Sequence, residues 1–253
     1  MENDPTRRFS SRVDDYVRYR PSYPREILPL LERECGLRPG VLVADIGSGT
    51  GLLARLFLEY GCEVFGVEPN ADMRRAGERL LASYPRFHSF DGRAEDTTLP
   101  ACCADLIAAG QAFHWFDPDR ARQEFRRIAR PPGWVVLAWN ERLVEGPFLE
   151  AYEAMLHRYS TDYAKVDHRN VDAAAMDRFF GARAWLFTTF PNHQQFDLES
   201  VLGRLHSSSY APQPGSPGYD EMNAEVARLF AECQRDGRVT LLQKTLVYIG
   251  TVA

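Results

Sequence analysis

A glycine-rich turn between a buried strand and a helix constrains the fold of this 253-residue chain more than any other feature. Residues 41–51 read VLVADIGSGTG, so an apolar run leads directly into three closely spaced glycines and then into a helical pattern. Glycine adopts backbone angles that other residues avoid, and it lets the backbone approach a ligand closely. The segment therefore predicts a nucleotide-binding crevice at the carboxyl end of the first strand of an α/β sheet.

Strand-like and helix-like segments alternate along the first part of the chain. Short apolar runs predict strands at residues 41–46, 63–67, 86–90, 105–109 and 134–139. Helical patterns between them predict helices at residues 51–60, 71–83 and 118–130, whereas the link at 91–104 is expected to hold a short helix or none. Such alternation is typical of a mainly parallel sheet with helices on both faces.

After about residue 141 the alternation ends. The remaining sequence predicts aromatic-rich helices at 148–180, a strand-like stretch at 184–197, helices at 198–209 and 220–236, and a closing strand at 239–249. Apolar residues at three-and-four spacing also predict a short amphipathic helix at residues 9–20, ahead of the sheet. The second half is thus expected to add helices and a late strand to the sheet.

The residues around the glycine turn separate several classes of nucleotide site. A dinucleotide fingerprint would place Gly or Ala at position 52, where this chain has Leu52. A phosphate loop would require a nearby lysine, which the sequence lacks. Glu68 ends the next strand, in VFGVEPN, where a carboxylate can accept hydrogen bonds from two ribose hydroxyls. These features disfavour a nicotinamide dinucleotide and a nucleoside triphosphate.

Charge and cysteine content argue against several classes of partner. The chain has 30 basic and 35 acidic residues, a net charge of −5, so nucleic acid is not expected as a partner. Its five cysteines show no metal-ligand spacing, and we expect reduced thiols in a cytoplasmic protein without a metal. No apolar run approaches the roughly 20 residues that cross a bilayer, and the first residues lack an apolar signal segment, so neither membrane insertion nor secretion is expected.

Four motifs together resemble those of the class I S-adenosylmethionine-dependent methyltransferases. DIGSGTG at 45–51 is similar to the first motif of that family, EPN at 68–70 to its second, and DGRAEDTTLP at 91–100 to the loop after its third strand. AGQAFHWFD at 109–117 resembles the type 11 subgroup, related to trans-aconitate methyltransferases. The resemblance covers roughly residues 9–141 and the final strand.

The resemblance implies a Rossmann-like α/β fold and a domain organisation. The sheet would have seven strands, mostly parallel with the last antiparallel, with helices on both faces and a helical insertion after strand 5. The whole chain, 1–253, would be a single methyltransferase domain. Its parts would be an N-terminal lid helix at 1–23, a cofactor-binding core at 24–141, a substrate-covering insertion with a strand at 142–215, and a C-terminal helix and closing strand at 216–253.

The resemblance also implies which residues bind the cofactor. The glycine loop would line its methionine and ribose part, Asp45 would lie near its amino group, and Glu68 would hold the ribose hydroxyls. The complete set of expected contacts is Tyr16, Arg20, Asp45, Gly47, Ser48, Gly49, Gly51, Glu68, Pro69, Asn70, Met73, Ala94, Glu95 and Gln111. Arg93 stands where many relatives have an acidic residue, so the adenine amine would be contacted by Ala94 or Glu95.

A catalytic base and the acceptor-binding residues are harder to identify. Methyl transfer needs alignment first, and a base only if the acceptor must lose a proton. His114 is the candidate base, although its alternative role is to pack among the aromatics of AFHWF. The candidate acceptor contacts are Trp115, Tyr152, His206 and Tyr210. No arginine cluster in the sequence is clean enough to name a carboxylate substrate.

The sequence thus predicts an S-adenosylmethionine-dependent methyltransferase that acts on a small molecule. Two alternatives stay open: a nicotinamide-dependent oxidoreductase that uses the same crevice, and a protein that binds S-adenosylmethionine without turnover. The acceptor atom, whether oxygen, nitrogen, sulfur or carbon, and the oligomeric state are not predicted.

Overall fold

The computed structural model describes residues 17–160, 163, 173–181 and 185–252. Tyr16 and most of the expected lid at 1–23 lie outside these residues. The helices are α1 (Ile27–Cys35), α2 (Leu52–Tyr60), α3 (Ala71–Leu80), α4 (Pro118–Ile128), α5 (Pro147–Tyr159), α6 (Ala173–Phe180), α7 (Leu198–His206) and α8 (Tyr219–Cys233), and a single 3₁₀ turn spans Phe113–Trp115. The strands are β1 (Leu42–Ile46), β2 (Glu63–Val67), β3 (Phe87–Phe90), β4 (Ala104–Gly110), β5 (Ala129–Arg142), β6 (Trp185–Pro191), β7 (Gln194–Phe196), β8 (Val239–Leu241) and β9 (Gln243–Thr251).

Seven strands form one sheet in the order β3-β2-β1-β4-β5-β9-β6. The strands from β1 to β5 pair in parallel, whereas β9 runs antiparallel to its neighbours β5 and β6. This arrangement confirms the predicted Rossmann-like sheet with an antiparallel last strand. The order reverses between β1 and β4, which opens a crevice at the carboxyl ends of these two strands.

Helices cover both faces of the sheet because the central strands are apolar on both sides. Val43 and Ala44 are neighbours in β1 and are both fully buried, as expected for a strand inside a parallel sheet. Val43 belongs to the core that includes Leu31 of α1 and Phe57 of α2. Ala44 belongs to the opposite core, with residues of α4 and α6.

A third apolar core lies among the helices that follow β5. It joins α5, α7 and α8 through buried side chains such as Met155, Val201 and Val226, and it includes residues of the small β7-β8 pair. The predicted helical insertion after strand 5 supplies α5, α7 and β7 to this layer, whereas α8 and β8 belong to the predicted C-terminal helix and closing strand.

Two predicted strands of the second half are each divided in the structure. The single strand expected at 239–249 breaks at Leu242, so that β8 pairs with β7 while β9 enters the large sheet. The stretch 184–197 likewise divides into β6 and β7. Both breaks meet at Gln243, whose backbone N–H donates to His193 Nδ1 and whose carbonyl accepts from the Asn192 N–H. Alternating apolar residues continue through such a bend, so a strand pattern alone does not reveal it.

Candidate functional site

The loop after β1 brings backbone, rather than side chains, to the crevice. Gly47 has φ of 70°, and a Cβ placed on it would lie 2.6 Å from the Cβ of Ala112. The N–H groups of Gly47 and Ser48 donate to the carbonyl of Val67, which holds the loop against the end of β2. Glycine is therefore required at position 47 both by the backbone angle and by the close approach of the loop after β4.

Glu68 follows β2 and is oriented by two backbone donors. Its Oε2 accepts from the Gly49 N–H at 2.9 Å, and its Oε1 accepts from the Asn70 N–H at 2.8 Å. Burial raises the pKa of this carboxyl, while the two N–H groups counteract part of the shift. Because each carboxylate oxygen accepts more than one hydrogen bond, Glu68 can also hold hydroxyl groups of a ligand.

Asp45 occupies the fourth position of β1 and is 1% exposed. Among the described residues, neither of its carboxylate oxygens has a hydrogen-bond partner. Burial raises the pKa of Asp45 to about 7, the nearby Ala54 N–H lowers it in part, and the Glu68 charge raises it further. A buried carboxylate without partners is costly, so its surroundings suit a ligand that brings a cationic donor to this position.

A cleft of about 790 Å³ lies between the β1 and β4 ends, and a smaller cavity of about 410 Å³ adjoins it. The cleft is lined by Gly47, Gly49, Glu68, Pro69, Asn70, Met73, Arg93, Ala94, Glu95, Gly110, Gln111, Ala112, Trp115 and Phe116. The smaller cavity is lined by Arg20, Pro21, Tyr23, Asp45, Gly47, Ser48, Gly49, Thr50, Leu52, Leu53, Gly110, Gln111 and Asn140. Because they share Gly47, Gly49, Gly110 and Gln111, the two form one continuous crevice.

The crevice brings together nearly all the residues that were expected to bind a cofactor. Of those within the described residues, Gly51 alone lines neither cavity. Gly51 has φ of 85°, and a Cβ there would lie 2.5 Å from Leu81 Cδ1, so it serves the turn into α2. Arg93, the departure from the family pattern, lines the cleft beside Ala94 and Glu95.

The sequence did not identify Asn140 as a site residue, although it lines the smaller cavity. Its Nδ2 donates to the carbonyls of Pro21 and Ser22, and its backbone carbonyl accepts from Gln111 Nε2 at 2.9 Å. Gln111 itself has φ of 55°, an unusual angle for a residue other than glycine. Asn140 thereby ties the segment before α1 to the ends of β4 and β5. A polar residue inside an apolar strand was the available signal.

His114 lies behind the cleft rather than on its wall. Its Nδ1 accepts a hydrogen bond from Trp139 Nε1 at 3.4 Å, and its ring packs against Trp115 with 4.8 Å between centroids. Trp115 and Phe116 line the cleft, whereas His114 lines neither cavity. The geometry supports the alternative role of His114 in holding the aromatic turn, and its role as a base stays a prediction.

Besides Trp115, which lines the cleft, the predicted acceptor contacts lie in two different parts of the structure. Tyr152 is buried and Tyr210 half-buried in a cluster with Arg142 and Arg204, which the sequence did not predict as site residues; Arg142 lies over the Tyr152 ring at 4.8 Å. His206 lies elsewhere, with its Nε2 2.8 Å from Asn223 Oδ1 and its ring stacked on Tyr219. His206 therefore joins α7 to α8.

Metal-binding and membrane-spanning features are both absent from the described ranges. No group of three or more His, Cys, Asp or Glu side chains there could hold a metal ion. Likewise, none of the helices described is long and apolar enough to cross a bilayer.

Parts of the chain are similar in sequence to known proteins. Residues 44–137 match the family described as "Methyltransferase domain". An uncharacterized methyltransferase of Mycobacterium tuberculosis (strain ATCC 25618 / H37Rv) is 38% identical over 134 residues, 53% of this chain and 52% of that protein. This match spans only about half the length of that relative. An uncharacterized methyltransferase of Schizosaccharomyces pombe is 25% identical over 230 residues, 90% of this chain and 89% of that protein.

Solved structures share the fold over a larger part of the chain. A proposed type II methyltransferase of Anaeromyxobacter dehalogenans superposes with a TM-score of 0.64 at 22% identity, covering 92% of this chain and 98% of that one. At this level of identity the likeness shows the fold alone.

Proposed function

We propose that this chain, whose residues 44–137 match a methyltransferase domain family, transfers a methyl group from S-adenosylmethionine to a small-molecule acceptor. The observation that carries the proposal is the pair of buried carboxylates, Asp45 and Glu68, on adjacent strand ends of one glycine-lined crevice. Bound S-adenosylmethionine supplies a methyl group on a positively charged sulfur, which an acceptor can take by in-line displacement.

The chemistry of the crevice fits this cofactor. The two carboxylate oxygens of Asp45 are buried and make no full hydrogen bond within the described ranges, so an ammonium group would satisfy them. Glu68 is held by two backbone donors in a position to accept from two hydroxyls. Apolar side chains such as Pro69, Met73 and Phe116 line the adjoining cleft, as a flat heterocycle requires.

The chain's own contribution to catalysis is mainly alignment. Holding two reactants in register can supply on the order of 7 to 11 kcal/mol of the barrier. Gln111 and Asn140 fix the ends of β4 and β5 at the junction of the two cavities, where donor and acceptor would meet. His114 is a positioning residue for Trp115 in this proposal, and a base is needed only for an acceptor that must lose a proton.

The two alternatives are separated by the structure's chemistry and by experiment. A nicotinamide dinucleotide site needs a small residue where Leu52 lines the smaller cavity, so this alternative is disfavoured. A protein that binds S-adenosylmethionine without turnover would have the same crevice. The proposed relation to trans-aconitate methyltransferases rests on the AGQAFHWFD segment alone and stays a prediction.

Isothermal titration with S-adenosylmethionine, S-adenosylhomocysteine and NADH in parallel tests the cofactor class. We expect micromolar binding of both adenosyl ligands and no binding of NADH. Binding of NADH alone would overturn the proposal. Transfer of a labelled methyl group to any member of a small-molecule panel then separates an enzyme from a protein that only binds the cofactor.

The proposal includes a cytoplasmic location and no nucleic-acid partner. It is supported by the net charge of −5 and by five cysteines that are all free. Filter binding to random duplex DNA at low salt tests the second part, and retention of DNA would contradict it.

A further inference from the structure

Three arginines converge on a group of tyrosines beside the crevice. Arg142 ends β5, Arg204 lies on α7, and Arg20 precedes α1. Arg20 donates from Nε to Ser207 Oγ at 3.1 Å and from Nη2 to the Ser207 carbonyl at 2.9 Å, which places it next to the end of α7. The electrostatic neighbours of buried Tyr152 are Arg142, Tyr210, Arg204 and Arg20. We call these five residues, Arg20, Arg142, Arg204, Tyr152 and Tyr210, the arginine–tyrosine cluster.

Two arginines of this cluster, Arg142 and Arg204, have a single carboxylate partner between them in the described part of the chain. Glu153 pairs with Arg142 and also accepts from the Tyr163 hydroxyl at 2.8 Å. Within the described part of the chain no carboxylate pairs with Arg204, whose hydrogen-bond partner there is Ser208 Oγ at 3.3 Å. The buried Nε atoms of Arg142 and Arg204 have no partner among those residues. A largely buried cation without a counterion is strongly disfavoured, so Arg204 is the member of the cluster that a bound anion would complete.

The titration behaviour of the cluster agrees with this charge imbalance. Burial and the neighbouring Arg20 charge lower the pKa of Arg204 to about 10. For Tyr210, burial alone would raise the pKa, but Arg142 and Arg204 lower it below its ordinary value. Both pKa shifts indicate that the arginine–tyrosine cluster stabilises negative charge and destabilises additional positive charge.

The arginine–tyrosine cluster meets the crevice at Arg20. Arg20 lines the smaller cavity together with Asp45, Gln111 and Asn140. Arg142 follows Asn140 by two residues in β5, so both side chains leave the same face of the strand. A small molecule in the smaller cavity would therefore contact Arg20, whose charge is close enough to influence Arg204.

We propose that the arginine–tyrosine cluster binds a carboxylate or phosphate group of the methyl acceptor, which makes the substrate a small organic anion. Guanidinium groups match both oxyanions geometrically, and tyrosine hydroxyls add neutral donors. The inference rests on the proposed function, because it assigns the acceptor of that same site. It names a substrate class that the sequence left open.

Calorimetric titration of the full chain tests this inference, with and without saturating S-adenosylhomocysteine. The probes are succinate, inorganic phosphate and the neutral analogue succinamide, all at one ionic strength. Three variants are compared with wild type: Arg204→Met, Arg204→Lys, and the control Arg228→Met, whose side chain is exposed on α8 and pairs with Glu232. Thermal melting of each protein is recorded with and without the anions.

We expect succinate, phosphate or both to bind wild type and Arg228→Met, and succinamide to bind neither. Arg204→Met should weaken anion binding at least about tenfold, with Arg204→Lys in between. Without anion, Arg204→Met should melt no lower than wild type, because it removes an uncompensated charge. A structural arginine would give the opposite pattern, a lower melting temperature with unchanged anion affinity, and that would overturn the inference.

The remaining outcomes distinguish the inference from the proposed function. S-adenosylhomocysteine binding without binding of either anion would overturn the anion subsite and leave the proposed cofactor intact. Anion binding that Arg204→Met weakens, without any binding of S-adenosylhomocysteine, would support the subsite and contradict the proposed function. Succinate binding alone would identify a carboxylate acceptor, and phosphate binding alone a phosphate ester.

Discussion

Glu68 and Gly49 are joined by a hydrogen bond of 2.9 Å that links the end of β2 to the loop after β1. The bond fixes one oxygen of the carboxylate while the Asn70 N–H fixes the other. As a result, the side chain is already oriented toward the cleft before any ligand arrives. Such preorganisation increases affinity because less conformational freedom is lost on binding.

Replacement of Glu68 by alanine tests this arrangement. Glu68→Ala should weaken S-adenosylhomocysteine binding at least about tenfold, since hydrogen bonds to a charged group contribute roughly 1.5–3 kcal/mol. Titration calorimetry measures the change, with Glu63→Ala as the control because Glu63 lies at the opposite end of β2 and contacts exposed His88. Equal affinity of Glu68→Ala and wild type would count against the assigned site.

Asp45 should make the stability of the ligand-free protein depend on pH. Its pKa is raised from an ordinary 3.8 to about 7, so between these values the folded protein holds a proton that the unfolded chain has lost. Stability therefore falls as pH rises from about 4 to 7. Asp45→Asn removes this dependence, and its stability relative to wild type should be higher at pH 8 than at pH 5, by on the order of 2 kcal/mol.

Urea denaturation of both proteins without ligand measures that difference. Exposed Asp220→Asn on α8 is the control, and it should show the same pH dependence as wild type. Identical pH profiles of Asp45→Asn and wild type would mean that Asp45 is ionised with an ordinary pKa in the folded protein.

The sequence anticipated the cofactor side of the site far better than the acceptor side. Gly47, Gly49 and Glu68 lie within one strand-turn-helix-strand unit, so local patterns suffice to bring them together. Arg20, Arg142 and Arg204 are far apart in sequence, and their surroundings come from long-range contacts such as Arg142 with Glu153 of α5 and Arg20 with Ser207 after α7. Long-range packing of this kind leaves no periodic signal.

The same reasoning applies to the fold. The parallel strands were predicted because each is a short apolar run between helices, whereas the division of 239–249 into β8 and β9 was not. That bend depends on contacts of Gln243 with His193 and Gln194, which belong to another segment of the chain.

Gly47→Ala should destabilise the protein through contact as well as backbone angle. The new Cβ would lie 2.6 Å from Ala112 Cβ, so the loop after β4 must move. Gly215→Ala is a matched control, because Gly215 has φ of 79° but nothing lies within 4 Å of the position that its new Cβ would take. We expect Gly47→Ala to lower the free energy of unfolding by about 1–3 kcal/mol more than Gly215→Ala, and to abolish S-adenosylhomocysteine binding. Equal losses in the two variants would contradict the close contact.

His114 and Trp115 are adjacent in sequence but should respond differently to truncation. Trp115 lines the cleft, so Trp115→Ala removes part of its apolar wall and should weaken S-adenosylhomocysteine binding several-fold. His114 lines neither cavity, so His114→Ala should change this affinity by less than about threefold, an effect transmitted through the ring of Trp115. Parallel titrations of both variants measure the contrast. If His114→Ala were the weaker binder, the histidine itself would have to reach the ligand, and its role as a base would regain support.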